Sequence, residues 1–311
     1  MIEISIVVPV YNESENIKPF IERTCKVLDN INKDYEIIFC LDPSSDNTEN
    51  VILEEISRNK KIKLMVFSRK FGQPISTIAG IENTNGKYCV VIDVDLQDPP
   101  ELIEDMYKKI TDENLDVVYA VRKSREGETF IKKMISKFAY KIINYFSDIN
   151  IPVDTGDFRI FSNKIVNELK KFNEKEAFLR GLVAYVGFKQ DKILFDRKER
   201  SHGKSKYNKF TGSFKIGING IVGFSSKPLF LMAVLGFTIS FLSFILGFWY
   251  FLQKIIGINL TPGLTTTVIL ISFYSGLQLF GMGMLGEYIG RIYDEVKKRP
   301  RYIIDKKINL D

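Results

Sequence analysis

Between Pro228 and Gly286 the sequence carries a single charged side chain, Lys254. Residues 228–253 form an uncharged run that would reach ~39 Å as a helix at ~1.5 Å per residue, against a hydrocarbon core of ~30 Å. Residues 264–286 form a second run of the same kind. A chain like this has to place two long apolar helices. A buried hairpin inside a soluble domain is the competing solution, and two such long runs disfavour it. Lys215, Lys227, Arg291, Lys297, Lys298, Arg299 and Arg301 flank the pair, whereas the connection at 254–263 has one cation. The positive-inside rule then sets both termini in the cytoplasm and the short loop outside. Gly281, Gly283 and Gly286 permit close helix packing and allow a homo-oligomer.

Ahead of these runs the pattern changes. Residues 4–10, 35–41, 63–67, 88–92 and 116–121 are apolar and rich in β-branched residues, which reads as buried strands. Helical stretches at about 14–30, 48–59, 73–82 and 99–110 separate them, and a further helix and strand are expected at 176–186 and 189–195. Strands alternating with helices predict an α/β domain with a mostly parallel sheet covered on both faces. The polar segments follow the strands, so they gather on one edge, where open α/β sheets bind ligands. Met1 leads directly into the first strand, which predicts no cleavable signal peptide. Cys25, Cys40 and Cys89 lie in predicted helix or strand without regular spacing, so reduced, packed thiols are expected, with neither a disulfide framework nor a zinc site. The formal charge is +6. Its basic residues concentrate at 197–215 and 291–307, which suits an anionic membrane surface or ligand; no nucleic-acid-binding motif accompanies them.

The richest chemistry sits at Val90-Val91-Ile92-Asp93-Val94-Asp95-Leu96-Gln97-Asp98-Pro99-Pro100. An apolar strand ending in two acids one residue apart delivers carboxylates to the rim of the sheet. Alternate residues of an extended segment point the same way, so Asp93 and Asp95 could converge on one hard cation, with Gln97 as a third oxygen ligand. The plain alternative is an acidic turn before a helix that starts at Pro99. Residues 130–146 place apolar residues at helical spacing with Lys132, Lys133, Lys137 and Lys141 between them, either a solvated face or contact with a membrane surface. Asp154-Thr155-Gly156-Asp157-Phe158-Arg159 reads as a Gly turn with two more acids. Arg200-Ser201-His202-Gly203-Lys204-Ser205-Lys206-Tyr207 is a basic, Gly-centred loop suited to phosphate oxygens, and residues 207–227 suit an amphipathic helix in the headgroup layer.

Taken together these motifs resemble the family 2 glycosyltransferases with a GT-A fold, and more closely the bacterial polyprenyl-phosphate glycosyltransferases, relatives of dolichol-phosphate mannose synthase. The similar stretches are Ser5-Ile6-Val7-Val8-Pro9-Val10-Tyr11-Asn12-Glu13, Arg69-Lys70-Phe71-Gly72, Asp93 to Glu101, Thr155-Gly156-Asp157-Phe158-Arg159, Arg180-Gly181, Arg200 to Tyr207, and Gly286-Glu287-Tyr288-Ile289-Gly290-Arg291-Ile292-Tyr293. They run in order through almost the whole chain. One departure lies at Leu41-Asp42-Pro43-Ser44-Ser45-Asp46, where the family usually has two adjacent acids and a Gly.

The resemblance implies a GT-A nucleotide-diphospho-sugar transferase domain (1–206), a juxtamembrane segment (207–227), transmembrane helices at 228–253 and 264–289, and a basic cytoplasmic tail (290–311), all held at the cell membrane. It implies transfer of a sugar, with inversion, from a nucleotide sugar, expected to be a UDP-sugar, to a polyprenyl phosphate such as undecaprenyl phosphate, feeding cell-envelope glycan modification. Asp93, Asp95 and Gln97 would hold Mg2+ or Mn2+. Pro9, Tyr11, Glu13, Asp42 and Asp93 would hold the nucleotide, and Arg122, Arg200 and Lys206 are candidate phosphate ligands. Asp157 is the first candidate for a base and Asp154 the second. A phosphate monoester with a second pKa near ~6 is already largely ionised, so Asp157 could orient the acceptor instead. A processive polysaccharide synthase would need more spans and a Gln-x-x-Arg-Trp-type motif, whereas the sole tryptophan, Trp249, lies in a membrane run. The remaining alternative is a non-catalytic nucleotide-sugar-binding membrane scaffold.

Overall fold

The computed structural model describes residues 2–122, 155–175, 178–196, 222–223, 225–256 and 263–310. Asp154, Arg200, His202 and Lys206, the segments 130–146 and 207–221, and the side chain of Arg122 lie outside the described residues.

β1 (Ile4–Val10) and β2 (Tyr35–Leu41) are buried at every position, as strands covered on both faces must be. They pair in parallel, Ile4 opposite Tyr35 through Val10 opposite Leu41. β2 pairs in parallel with β3 (Ile62–Phe67), and β1 in parallel with β4 (Tyr88–Val91). The crossovers are helices α1 (Ser14–Ile31), α2 (Thr48–Arg58) and α3 (Gln73–Glu82). α3 lies so close to the sheet that a Cβ on Gly80 would run into Val7 Cγ1 and come within 2.7 Å of Cys40 Sγ. α4 (Leu102–Asp112) then leads to β5 (Val117–Arg122). The order β4-β1-β2-β3 reverses direction at β1, so a switch point opens between the carboxyl ends of β1 and β4.

Two strands depart from the sequence expectation. Residues 155–159, read with Asp154 as a Gly turn, begin β6 (Thr155–Ser162), antiparallel to both β4 and β5. Its Gly and acids suggested a turn, but Phe158, Ile160 and Phe161 are fully buried and hold the segment in the sheet. The terminal segment, read as a basic tail, contributes β8 (Ile304–Ile308), an antiparallel edge strand on β3. Its middle three residues, Asp305, Lys306 and Lys307, are exposed, and charge on an edge strand discourages further pairing. α5 (Asn163–Leu169), which the sequence did not announce, α6 (Leu179–Val186) and β7 (Gln190–Phe195) complete a sheet ordered β7-β5-β6-β4-β1-β2-β3-β8. Parallel pairs predominate among its neighbours, as expected.

The chain divides into two units, the sheet domain with residues 300–311 and a second unit containing residues 221–299. In the second, α7 (Lys227–Ile255) and α8 (Leu264–Val296) cover the two apolar runs. Both are long and apolar enough to cross a membrane, with an 18-residue stretch of mean hydropathy 2.5 within Lys227–Gln253 and one of 1.7 within Thr267–Val296. Phe237, Phe244, Ile269 and Phe280 are each more than 60 % exposed, a surface that in water would be unfavourable and in lipid is ordinary. Where the helices touch, Gly281 faces the Met232 methyl and the Ser243 and Tyr274 hydroxyls lie 3.2 Å apart.

Candidate active site

β4 stops at Val91, and Val94 and Asp95 form a turn, so Asp93 and Asp95 are not successive positions of one strand as the sequence reading had them. Leu96 is the reason. It takes a left-handed conformation at φ 59 that no strand contains, and it is held there by burial at 4 % exposure. The alternation nevertheless survives in burial. Val94, Leu96 and Asp98 point inward at 3–4 % exposure, while Asp93, Asp95 and Gln97 are all half-buried. Both acids are held by a donor on Oδ1. Gln73 Nε2, at the start of α3, donates to Asp93 at 2.7 Å, and the Gln97 amide donates to Asp95 at 3.1 Å.

The loops after β1 and β2 are tied to each other. Asn12, at φ 53, donates its amide to Ser44 Oγ and accepts the Ser45 amide on its side chain at 2.7 Å. The Glu13 amide donates to Thr48 Oγ1, and the Ser14 amide to Asp46. Burial pushes the Asp46 carboxyl up, but hydrogen bonds from Thr48 and Ser14 outweigh it and leave the group below the ordinary carboxylate range. Pro9 is tolerated inside β1 because β4 pairs only with Ile4–Val7, so its missing N–H costs no ladder bond on that side. It is buried one residue before the strand ends, while half-buried Tyr11 and Glu13 follow at the rim.

Asp42, at 2 % exposure, lies just past β2. Its two oxygens accept the amides of Phe71 at 2.9 Å and Gly72 at 2.8 Å. Gly72 sits at φ +91, a conformation that suits glycine and disfavours any other residue. Asp42 therefore fixes the loop after β3. That loop presents two exposed cations: Arg69 over the Phe71 ring at 4.2 Å and Lys70 over the Tyr11 ring at 3.4 Å.

Asp157 reaches the same rim by the opposite route. In the antiparallel pair, Tyr88 faces Ser162 and Val91 faces Arg159. The ladder ends there, and Asp157 lies two residues nearer the start of β6, at the carboxyl edge of β4. Asp157 Oδ1 is engaged by Arg180 Nε of α6 at 2.9 Å. Arg159 lies beneath at 3 % exposure, donating to the Gly156 carbonyl at 2.6 Å. Burial pushes the Arg159 guanidinium down, Asp157 pulls it up and Arg180 lowers it, and together they leave it at about 10. β5 runs parallel to β4, so the backbone of Arg122, its last residue, also ends at this rim.

The structure thus gathers Pro9, Tyr11, Glu13, Asp42, Asp93, Asp95, Gln97 and Asp157 at one edge. It adds Arg69, Lys70, Gln73, Arg159 and Arg180, for which the sequence reading had no role. Of these, Arg69, Lys70, Arg159 and Arg180 stood inside motifs already noted, so the signal was present without a partner to interpret it. Among the described residues no group of three or more His, Cys, Asp or Glu side chains surrounds a common point. A cation held here would take two carboxylates and an amide oxygen from the protein, with donors behind the acids to orient them. Such a set suits Mg2+ or Mn2+ that completes its shell from phosphate and water.

Residues 5–170 match the family described as glycosyl transferase family 2. The chain is 41 % identical over 310 residues to YkcC, an uncharacterized glycosyltransferase of Bacillus subtilis (strain 168), covering 100 % of this chain and 95 % of that one. It is likewise 41 % identical over 311 residues to the uncharacterized glycosyltransferase sll0501 of Synechocystis sp. (strain ATCC 27184 / PCC 6803 / Kazusa), covering 100 % and 97 %. It is 35 % identical over 305 residues to the prophage bactoprenol glucosyl transferase homolog of Escherichia coli (strain K12), covering 98 % and 99 %.

Proposed function

The chain belongs to glycosyl transferase family 2 and is a glycosyltransferase of GT-A fold, and from that premise we propose that it moves a sugar from a nucleotide diphosphate to the phosphate of a polyprenyl lipid. The observation that carries this reading is that Asp93 and Asp95, just past the carboxyl end of β4, and Asp157, near the start of its antiparallel neighbour β6, lie at the same edge of the sheet. Two helices long and apolar enough for a membrane, and relatives named for bactoprenol, favour a lipid acceptor. UDP-sugars are the expected donors.

In the reaction an acceptor phosphate oxygen forms a bond to the anomeric carbon as the bond from that carbon to the diphosphate breaks, with inversion. Asp93, Asp95 and Gln97 would hold Mg2+ or Mn2+, which when bound supplies positive charge opposite the leaving diphosphate. Tyr11 and Glu13 flank the nucleoside side of the crevice. Arg69 and Lys70 add cations on the same rim, and Arg122, Arg200 and Lys206 are the phosphate ligands expected from the sequence. Asp157, anchored by Arg180, orients the acceptor; an already ionised phosphate needs no proton removed before it attacks. α7 and α8 anchor the protein in the cell membrane, with the sheet domain and both termini cytoplasmic.

The test is incubation of the full-length protein in membranes with Mg2+ or Mn2+, undecaprenyl phosphate and a panel of radiolabelled nucleotide sugars. The expected result is label in a short, organic-soluble, mild-acid-labile lipid. Label in polymer, or no transfer from any donor, would contradict the proposal.

A further inference from the structure

The segment that returns from α8 reaches the loop carrying Arg69 and Lys70. β8 pairs with β3 from Leu64 opposite Ile308 to Val66 opposite Lys306, and then the register shifts so that Phe67 faces Ile304. Asp305 is the extra residue. Such a bulge twists a strand locally and redirects the side chains beside it. Past it, the Ser68 amide donates to the Ile303 carbonyl at 3.0 Å, so pairing continues into the loop itself. A row of rings runs alongside. Tyr302 meets Phe67 edge-on at 5.9 Å between centroids, and Phe67 meets Phe71 in the same way at 5.9 Å. Phe71 in turn supports Arg69 and gives its amide to Asp42. Tyr302 is itself fixed by its hydroxyl donating to Glu82 at 2.6 Å, and Arg301 pairs with the same carboxylate.

We propose that Tyr302 is a positioning residue for the nucleotide site, acting through Phe67 and Phe71 to set the loop at 68–72. The inference rests on the reading of the rim as a nucleotide-sugar site and extends it to a residue that comes after both apolar helices. It explains why the chain, having left the sheet for residues 221–299, returns to add a strand beside β3. An edge strand needed only to protect β3 would require neither the rings nor the bond to Ser68.

The experiment measures Kd for UDP, GDP and dTDP with Mn2+, and donor KM and kcat, on full-length protein. The variants are Tyr302→Leu, which keeps bulk without a ring, and Tyr302→Phe, which keeps the ring without the hydroxyl. Tyr302→Leu is expected to weaken nucleotide binding and raise donor KM by about tenfold, with kcat at saturating donor within about twofold. Tyr302→Phe is expected to restore binding, and acceptor KM to stay constant in both. Unchanged Kd and donor KM in Tyr302→Leu would overturn the proposal. So would a loss confined to kcat or to the amount of folded protein, which marks a purely structural role. If the unaltered protein binds none of the three nucleotides, the underlying reading of the site falls, an outcome distinct from equal binding by protein and variant.

Discussion

Asp42 was legible in the sequence as an acid at the end of a strand, and its resemblance-based role was to hold the nucleoside. Its geometry adds further work, since each oxygen caps an amide of the next loop. The amides of Phe71 and Gly72 lie 29 and 30 residues further along the chain, and no local pattern announces that pairing. Asp42→Ala would leave two amides without their acceptor at a site with little access to water. The expected cost is about 2 kcal/mol of stability, seen as a lower Tm, together with a raised donor KM as the loop loosens. An unchanged donor KM would separate Asp42 from the site. Asp93, Asp95 and Gln97 illustrate the converse. Their shared exposure was readable from alternation alone, although the backbone that delivers it is a turn around Leu96 rather than a strand.

At the scale of elements, the strands β1 to β5 and their crossover helices follow from apolar runs and turn residues within a residue or so of their expected ends, except that α4 runs from Leu102 to Asp112 and not over 99–110. β6 and β8 do not, because what makes them strands is a partner distant in sequence. Thr155-Gly156-Asp157 has the composition of a turn until β4 and β5 offer edges on either side of it. Ile304–Ile308 is three charges between two isoleucines, and only the open edge of β3 gives it a ladder. The fit of α3 against the sheet was equally hidden. A methyl on Gly80 would collide with Val7 and Cys40, so Gly80→Ala is expected to destabilise the domain by about 1–3 kcal/mol despite alanine's better helix propensity. Thermal or denaturant unfolding of the sheet domain checks this, and an unchanged midpoint would show that α3 can shift at no cost.

For the whole molecule, the uneven distribution of charge carried most of the information. A sequence nearly free of ions from Pro228 to Gly286 could be read directly as two long apolar helices, and the structure forms them as α7 and α8, the second running on to Val296 through Glu287, Arg291 and Asp294. The return of the chain to the sheet after them was not readable, because a basic terminal segment has the same composition whether it pairs with β3 or not. The last strand of the sheet is therefore made after both apolar helices. The claim on which this account depends is that Asp93 and Asp95 act on the departing diphosphate. Its most direct test is the rate of sugar transfer to undecaprenyl phosphate by Asp95→Asn, beside the unaltered protein, in saturating Mg2+ or Mn2+ and with Tm recorded for both. The account predicts a fall of at least about a thousandfold at unchanged Tm; turnover within a few-fold of the unaltered protein would contradict it.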